Sequence, residues 1–174
     1  TETNVALSFY DAYSGILQYN LMHTMNSKGN PDTLVLDPVM SYKVVAHTVP
    51  PAYADGEWKL TPGKHTIIPI RTPQGELSIS TNNTKTTVKC IVRENNNHET
   101  LNIQDINTKQ RYLTGSYDLE ILTLPRIYET IEIKQSQLTK VQIPESGLVV
   151  ISFSSKGYGS LFKMGNELEW LCDL

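Results

Sequence analysis

The sequence predicts an all-β protein made of two tandem antiparallel β-sandwich domains, of immunoglobulin-like or prealbumin-like type. Three observations carry this prediction. Residues 76–80 and 130–134 alternate polar and apolar side chains, which is the period-two pattern of half-buried strands. Turn formers such as Asp55-Gly56 recur about every eight to twelve residues, a rhythm typical of a sandwich or small barrel. The third observation is an internal repeat.

The repeat is clearest around two matched tyrosines. Residues 42–50 and 117–125 both follow the pattern Tyr-x5-Thr-x-Pro, and Tyr53 then falls opposite Tyr128. A repeat of this length can hold its own hydrophobic core, so the pattern indicates a duplicated β domain. We therefore expect Tyr42 to superpose on Tyr117, with equivalent strands beginning at both.

Two later matches extend the repeat. Residues 66–70 align with residues 139–143, and residues 75–80 align with residues 147–152. The offset between matched residues falls from 75 to 72 along the chain, which requires only small changes in loop length.

Domain boundaries follow from local composition. Residues 81–86 are polar and resemble a linker, so the sequence predicts a first domain over residues 1–83 and a second over residues 84–174. The last residues show two apolar runs around a Met-Gly-Asn turn, which predicts a C-terminal hairpin. Leu168 and Trp170 share one face of this hairpin and are expected to pack onto the second core.

Charge and hydropathy exclude two classes of partner. The net charge of -3 gives no electrostatic case for binding nucleic acid or an anionic membrane, where a basic stripe would be expected. No apolar run approaches the roughly 18 residues of a membrane-spanning helix. The chain starts at Thr1 without an initiator Met or a signal peptide, and we interpret it as a piece of a longer protein.

The two cysteines look like core residues. Cys90 alternates in register with Val88 and Val92, and Cys172 with Leu168 and Trp170. We expect both thiols to be buried and unlinked. A disulfide is the alternative, because the sequence does not fix the distance between them.

No motif for chemistry is present. The four histidines are widely spaced and form no metal-ligating frame with one another or with the cysteines. A Gly-x-Ser-x-Gly elbow and a phosphate-binding loop are also missing. The sequence therefore predicts no catalytic residue, no metal and no cofactor. A pair of carboxylates brought together in space, as glycoside hydrolysis needs, stays open.

Aromatic side chains are the candidate binding residues. Tyr is enriched, with nine residues against three Phe and two Trp. Tyr53 and Trp58 lie in the Pro-rich loop of the first repeat, and Tyr128 lies in its counterpart. Because Trp58 has no aromatic match in the second repeat, the first of these two loops is expected to be the most exposed aromatic feature. These three residues are the candidate surface for protein or glycan binding.

Two segments carry a resemblance to a known family. Residues 60–77, from Leu-Thr-Pro-Gly to Pro-Gln-Gly-Glu-Leu, and residues 115–126 resemble the β repeats that follow the A domain in bacterial von Willebrand factor A proteins, particularly of Bacteroidetes. More distantly, they are similar to carboxypeptidase-regulatory-like and prealbumin-like modules. The resemblance implies an accessory, extracytoplasmic, non-catalytic module beside an A domain, and it transfers no site residue.

These observations give a ranked expectation of function. The first is a spacer or protein-binding module whose partner is another protein or a domain of the parent chain, such as an A domain. The second is a carbohydrate-binding module that uses exposed aromatics. A small glycan-active enzyme comes third.

Overall fold

A computed structural model describes residues 4–31, 33–82, 88–145, 147, 149–152, 154 and 156–174, and within these ranges the protein consists of strands and loops. The prediction of an all-β protein is confirmed. The strands are β1 (Val5–Asp11), β2 (Leu17–His23), β3 (Ser41–Ala46), β4 (Ala52–Tyr53), β5 (Trp58–Lys59), β6 (Gln74–Ser80), β7 (Lys89–Glu94), β8 (Asn102–Asp105), β9 (Thr108–Leu113), β10 (Gly115–Ile121), β11 (Ile127–Ile133), β12 (Leu138–Gln142), β13 (Ser160–Met164) and β14 (Leu168–Asp173).

The second repeat forms a two-layer sandwich. One layer has the strand order β11-β10-β7-β8 and the other has the order β12-β6-β9. Alternate residues of both layers point inward, and together they form the larger of the two cores. Its buried members are Leu77, Ile79, Cys90, Val92, Tyr112, Tyr117, Leu119, Ile121, Ile131, Ile133, Val141 and Ile143. The β6–β12 pair is parallel, so the sandwich is not wholly antiparallel as expected.

The first repeat forms one sheet with the same strand order. β2, β1, β3 and β4 follow one another, and β5 pairs with the other end of β3. The register of the two sheets agrees residue by residue. Ala46 pairs with Ala52 as Ile121 pairs with Ile127. Phe9 of β1 pairs with Val44 of β3, and at the equivalent place Val92 of β7 pairs with Leu119 of β10.

The two matched tyrosines occupy equivalent positions and make equivalent hydrogen bonds. Tyr42 and Tyr117 are both buried, and their hydroxyls donate to the carbonyls of Asp37 and Leu113 at 3.0 and 2.8 Å. In the turns that follow, each threonine hydroxyl donates to the proline carbonyl two residues on, at 2.6 Å in the first repeat and 2.7 Å in the second. Both X-Pro bonds, at Pro50 and Pro125, are cis. The predicted equivalence of these strands and turns is confirmed.

The boundary between the repeats differs from the one predicted at residues 83/84. β6 pairs with β9 and β12, so it belongs to the second sandwich and not to the first domain. A Cβ on Gly75 would lie 2.3 Å from the Lys134 carbonyl oxygen, which shows how closely β6 packs on the second unit. The polar stretch after Ser80 resembled a linker, but it leads from β6 to β7 within one sandwich.

The described residues of the first repeat contain no second strand layer. Segment 66–70 aligns with residues 139–143, which overlap β12, and segment 33–37 lies shortly before Tyr42 as β9 lies before Tyr117. Leu36, Ile68 and Ile70 of these two segments pack on the first core. Neither segment is a strand. In the second sandwich β9 and β12 pair with β6 and not with each other. Among the described residues, neither segment pairs with a strand at the position of β6.

The C-terminal hairpin, β13 and β14, corrects another expectation. Phe162 pairs with Trp170 and Met164 with Leu168, which places these four side chains on one face. Leu168 and Trp170 are 65% and 57% exposed, so this face does not pack on the second core. Alternation correctly identified a common face, but it gives no information on whether a neighbouring layer covers that face.

The cysteines are unlinked, and only one is buried. Both thiols are free. Cys90 is fully buried in the second sandwich, and burial raises its pKa to about 12. Cys172 is half-buried on the hairpin, because that hairpin lacks a covering layer.

The revised boundary makes a testable prediction about Leu77. Replacing Leu77, fully buried in β6, by Ala should lower the free energy of unfolding of the second unit by about 2–5 kcal/mol, through lost burial and a cavity. Thermal unfolding followed with NMR probes in both units should show the second unit melting earlier. The matched control is Leu124→Ala at an exposed site, with an expected effect below about 0.5 kcal/mol. Destabilisation confined to the first unit would contradict the boundary.

Candidate binding surface

Two exposed tyrosines occupy the same position in the two repeats. Tyr53 on β4 pairs with Val45, and Tyr128 on β11 pairs with Glu120. Both strands lie at an edge of their sheets. Tyr53 is 67% exposed and Tyr128 is 70% exposed. An exposed ring with a hydroxyl at its tip suits a protein or glycan contact.

Trp58 does not join this surface. It pairs with Tyr42, whose side chain is buried in the first core, and it packs against that core itself. Tyr53 pairs with Val45, one residue from the inward Val44, and therefore lies on the opposite face of the sheet. The expectation that the loop of Tyr53 and Trp58 is the most exposed aromatic feature is wrong, because Tyr13 and Tyr158 are more exposed than Tyr53 and Trp58 is partly buried. Its indole Nε1 is buried without a hydrogen-bond partner among the described residues.

A serine–histidine pair lies on the same face as Tyr53. Ser8 pairs with Val45 across the sheet, and its hydroxyl shares a 2.6 Å hydrogen bond with His47 Nε2. Asn20 accepts a weaker bond from the same hydroxyl at 3.5 Å. Ser8 is buried in the middle of the sheet, and the short bond to His47 is the stronger of the two that satisfy its hydroxyl. A nucleophilic serine would need a base oriented by a third group, and the structure gives His47 no bonded carboxylate among the residues described.

The second repeat carries an ionic cluster at the matching place. Glu120 is buried, and its two carboxylate oxygens accept from Arg93 at 2.8 Å and from Arg126. The hydrogen bond from Arg93 is the main cause that holds the pKa of Glu120 below its ordinary value, and the bond from Arg126 acts in the same direction. Hydrogen bonds to Glu120 and then to Tyr128 raise the pKa of Arg126. The cluster thus holds the charges of Glu120 and Arg126 beside the exposed Tyr128.

The described residues bring together no group of three or more His, Cys, Asp or Glu side chains able to hold a metal ion. A depression of about 350 Å³ lies at the start of β6 near Arg111 and Gln137. No helix in the described part of the chain is long and apolar enough to cross a membrane.

Sequence reasoning located the tyrosines but missed both polar clusters. The Ser8–His47 contact joins residues far apart in sequence, and no local signal marks it. Glu120 gave a weak signal, because it interrupts the apolar residues Leu119 and Ile121 near the end of a strand. Its position on the opposite face became clear only from the sheet register.

Comparison with known proteins identifies no family for this chain. No family model matches the sequence, and no curated protein matches it significantly. Among solved structures, the Bacillus anthracis TIE protein overlaps with this chain at 12% sequence identity and a TM-score of 0.37. The overlap covers 81% of this chain and 30% of the length of that protein.

The buried carboxylate gives a pH-dependent prediction. Replacing Glu120 by Gln should lower the free energy of unfolding by about 1.5–3 kcal/mol at pH 7, because hydrogen bonds to a charged acceptor are lost. The folded-state pKa of Glu120 is lowered, so its stabilisation is present above the ordinary value of 4.5 and is lost as the pH falls through the lowered pKa. Urea unfolding of both proteins, measured from about pH 8 down to about pH 3, gives this difference in the free energy of unfolding on both sides of the ordinary carboxyl pKa.

The matched control is Glu132→Gln. Glu132 forms an exposed ion pair with Lys134 at 3.3 Å, and such pairs contribute about 0–1 kcal/mol. Equal effects of the two substitutions, or an effect of Glu120→Gln that does not change with pH, would contradict the structural role of the cluster.

Proposed function

We propose that this chain is a non-catalytic spacer of tandem β repeats within a larger extracytoplasmic protein, and that its outer sheet faces bind protein. Two observations support a spacer. The two repeats build the same sheet in the same register, as units of a repetitive array do. The contact between them is specific, and it is made at the turn that follows β3.

The joint between the repeats is centred on Val49, and this observation carries the proposal. The Val49 side chain packs against the core of the second sandwich. Its carbonyl accepts a 2.7 Å hydrogen bond from the backbone N–H of Leu113, the last residue of β9. An apolar contact combined with a backbone hydrogen bond restricts rotation between the units, and a spacer that keeps a fixed length needs this restriction.

The binding surface is proposed to lie around Tyr53 and Tyr128. These rings occur at the same position of successive repeats, beside sheet edges that can accept a further strand or a partner face. The partner we propose is another domain of the parent protein, an A domain by the resemblance noted above. A glycan-stacking row is less well supported, because Trp58 lies on the opposite face from Tyr53.

The spacer proposal predicts that the two units tumble together. In the unmodified chain, backbone ¹⁵N relaxation should give one rotational correlation time for both sheets. Val49→Asp would place a carboxylate against an apolar core, so the units should separate and their correlation times should diverge.

Leu124→Asp is the matched control for this experiment. Leu124 precedes Pro125 as Val49 precedes Pro50, but its side chain is exposed, so this variant should tumble as one body. Independent tumbling of the two units in the unmodified chain would overturn the fixed spacer. Unchanged tumbling of Val49→Asp would show that the joint lies elsewhere.

A further inference from the structure

The second sandwich has an outer face on each of its two layers, and Tyr128 lies on only one of them. The other outer face belongs to β12, β6 and β9. Leu77 and Ile79 of β6 point into the core and are fully buried, so the alternate residues Gln74 and Glu76 face outward. Both line a depression of about 350 Å³, which is at the lower end of the range that small ligands occupy.

The Gln74 side chain has an unused hydrogen-bonding group at this depression. Gln74 faces outward but is only 8% exposed, and its amide Nε2 has no hydrogen-bond partner among the described residues. Buried amide groups are nearly always paired. The terminal torsion of a glutamine is soft, so a rotation of the amide presents its N–H groups to an acceptor in the depression that this side chain lines.

Arg111 supplies a positive charge to the same depression. It pairs with Glu76 across β9 and β6, which places both side chains on the outer face. Arg111 Nε lies 4.0 Å from Glu76 Oε1, and no other carboxylate of the described residues comes as close to this guanidinium. The contact occupies one edge of the guanidinium and leaves its two terminal nitrogens open. These nitrogens form the fork that fits the two oxygens of a carboxylate.

The backbone around the depression is fixed by hydrogen bonds. The N–H of Ser136 donates to the Gln74 carbonyl at 2.8 Å, and the N–H of Glu76 donates to the Gln137 carbonyl at 2.9 Å. Leu138 pairs with Glu76 from the β12 side and lines the depression with an apolar side chain. A site whose walls are already in place loses little conformational entropy when a ligand enters.

We infer that this depression binds a carboxylate carried by a polypeptide, either at a chain end or on an acidic side chain. The carboxylate oxygens accept from the terminal nitrogens of Arg111 and from the amide of Gln74, and the adjoining apolar atoms lie against Leu138. A phosphate carries up to two negative charges, so it is disfavoured where Glu76 faces a single guanidinium. The site lies on the opposite layer from Tyr128 and is independent of the proposed spacer.

An NMR titration of the ¹⁵N-labelled 174-residue chain tests this inference with three small probes. N-acetyl-glycyl-leucine carries a chain-end carboxylate, its C-terminal amide carries none, and N-acetyl-aspartyl amide carries a side-chain carboxylate. One or both carboxylate probes should shift the amide signals of Gln74, Glu76 and Arg111, and the comparison of the two shows which source the site prefers. The amide of the dipeptide should shift none of them.

Two substitutions assign the binding to named groups. Arg111→Gln should weaken binding of the better probe about tenfold or more, through loss of charge-assisted hydrogen bonds. Gln74→Met removes the unpaired amide at similar volume, so it should keep the fold and weaken binding by roughly threefold to tenfold. The matched control is Lys109→Gln. Lys109 pairs with Ser78 on the same outer face of β9 and does not line the depression, so its removal should change the affinity by less than about twofold.

The outcomes separate a carboxylate site from simpler explanations. Absence of shifts with both carboxylate probes would overturn the inference and leave water as the partner of the Gln74 amide. Equal binding of the dipeptide amide would overturn it as well, because the carboxylate would then contribute nothing. Equal loss of affinity in Lys109→Gln and Arg111→Gln would show general charge attraction in place of a site. Each variant's amide spectrum shows whether the fold is retained, and none of these results depends on how the two units tumble.

Discussion

The second layer of this fold depends on one strand, β6. β9 and β12 both take their ladder hydrogen bonds from it and do not pair with each other. The backbone of β6 also lies so close to the Lys134 carbonyl that position 75 has no room for a side chain. A sheet whose outer strands share one central partner exists only while that partner is present. The two repeats are therefore alike in one layer and different in the other.

The outer faces of the two equivalent sheets do not contact β6, and the polar side chains on these faces differ between the repeats. A Ser8–His47 hydrogen bond occupies the face of the first sheet, and the Glu120 ion cluster occupies the matching place in the second. Tyr53 and Tyr128 keep their position beside both. The two repeats share one strand register but carry different polar groups on their outer faces. This combination fits the proposed spacer, whose repeats would contact different parts of a partner.

The sequence was sufficient to identify the repeat, but it did not show which strands form the second sheet layer. The Tyr-x5-Thr-x-Pro pattern identified equivalent strands because it encodes local turn and corner hydrogen bonds. Assigning β6 to the first domain failed, since a polar loop within a sandwich has the composition of a linker. The placements of Trp58 and Trp170 failed for a related reason. Alternation predicts which residues share a face, but whether that face is covered depends on strands distant in sequence.

Hydrogen–deuterium exchange tests most directly whether the second layer depends on β6. The measurement is made in dilute solution, where each chain is alone, and it compares equivalent amides of the two repeats. We predict slow exchange in β9 and β12, which are paired with β6, and fast exchange in segments 33–37 and 66–70, which have no such partner among the described residues. Equal protection of both sets would contradict the account, because it would show that the first repeat completes its second layer without a strand at the β6 position.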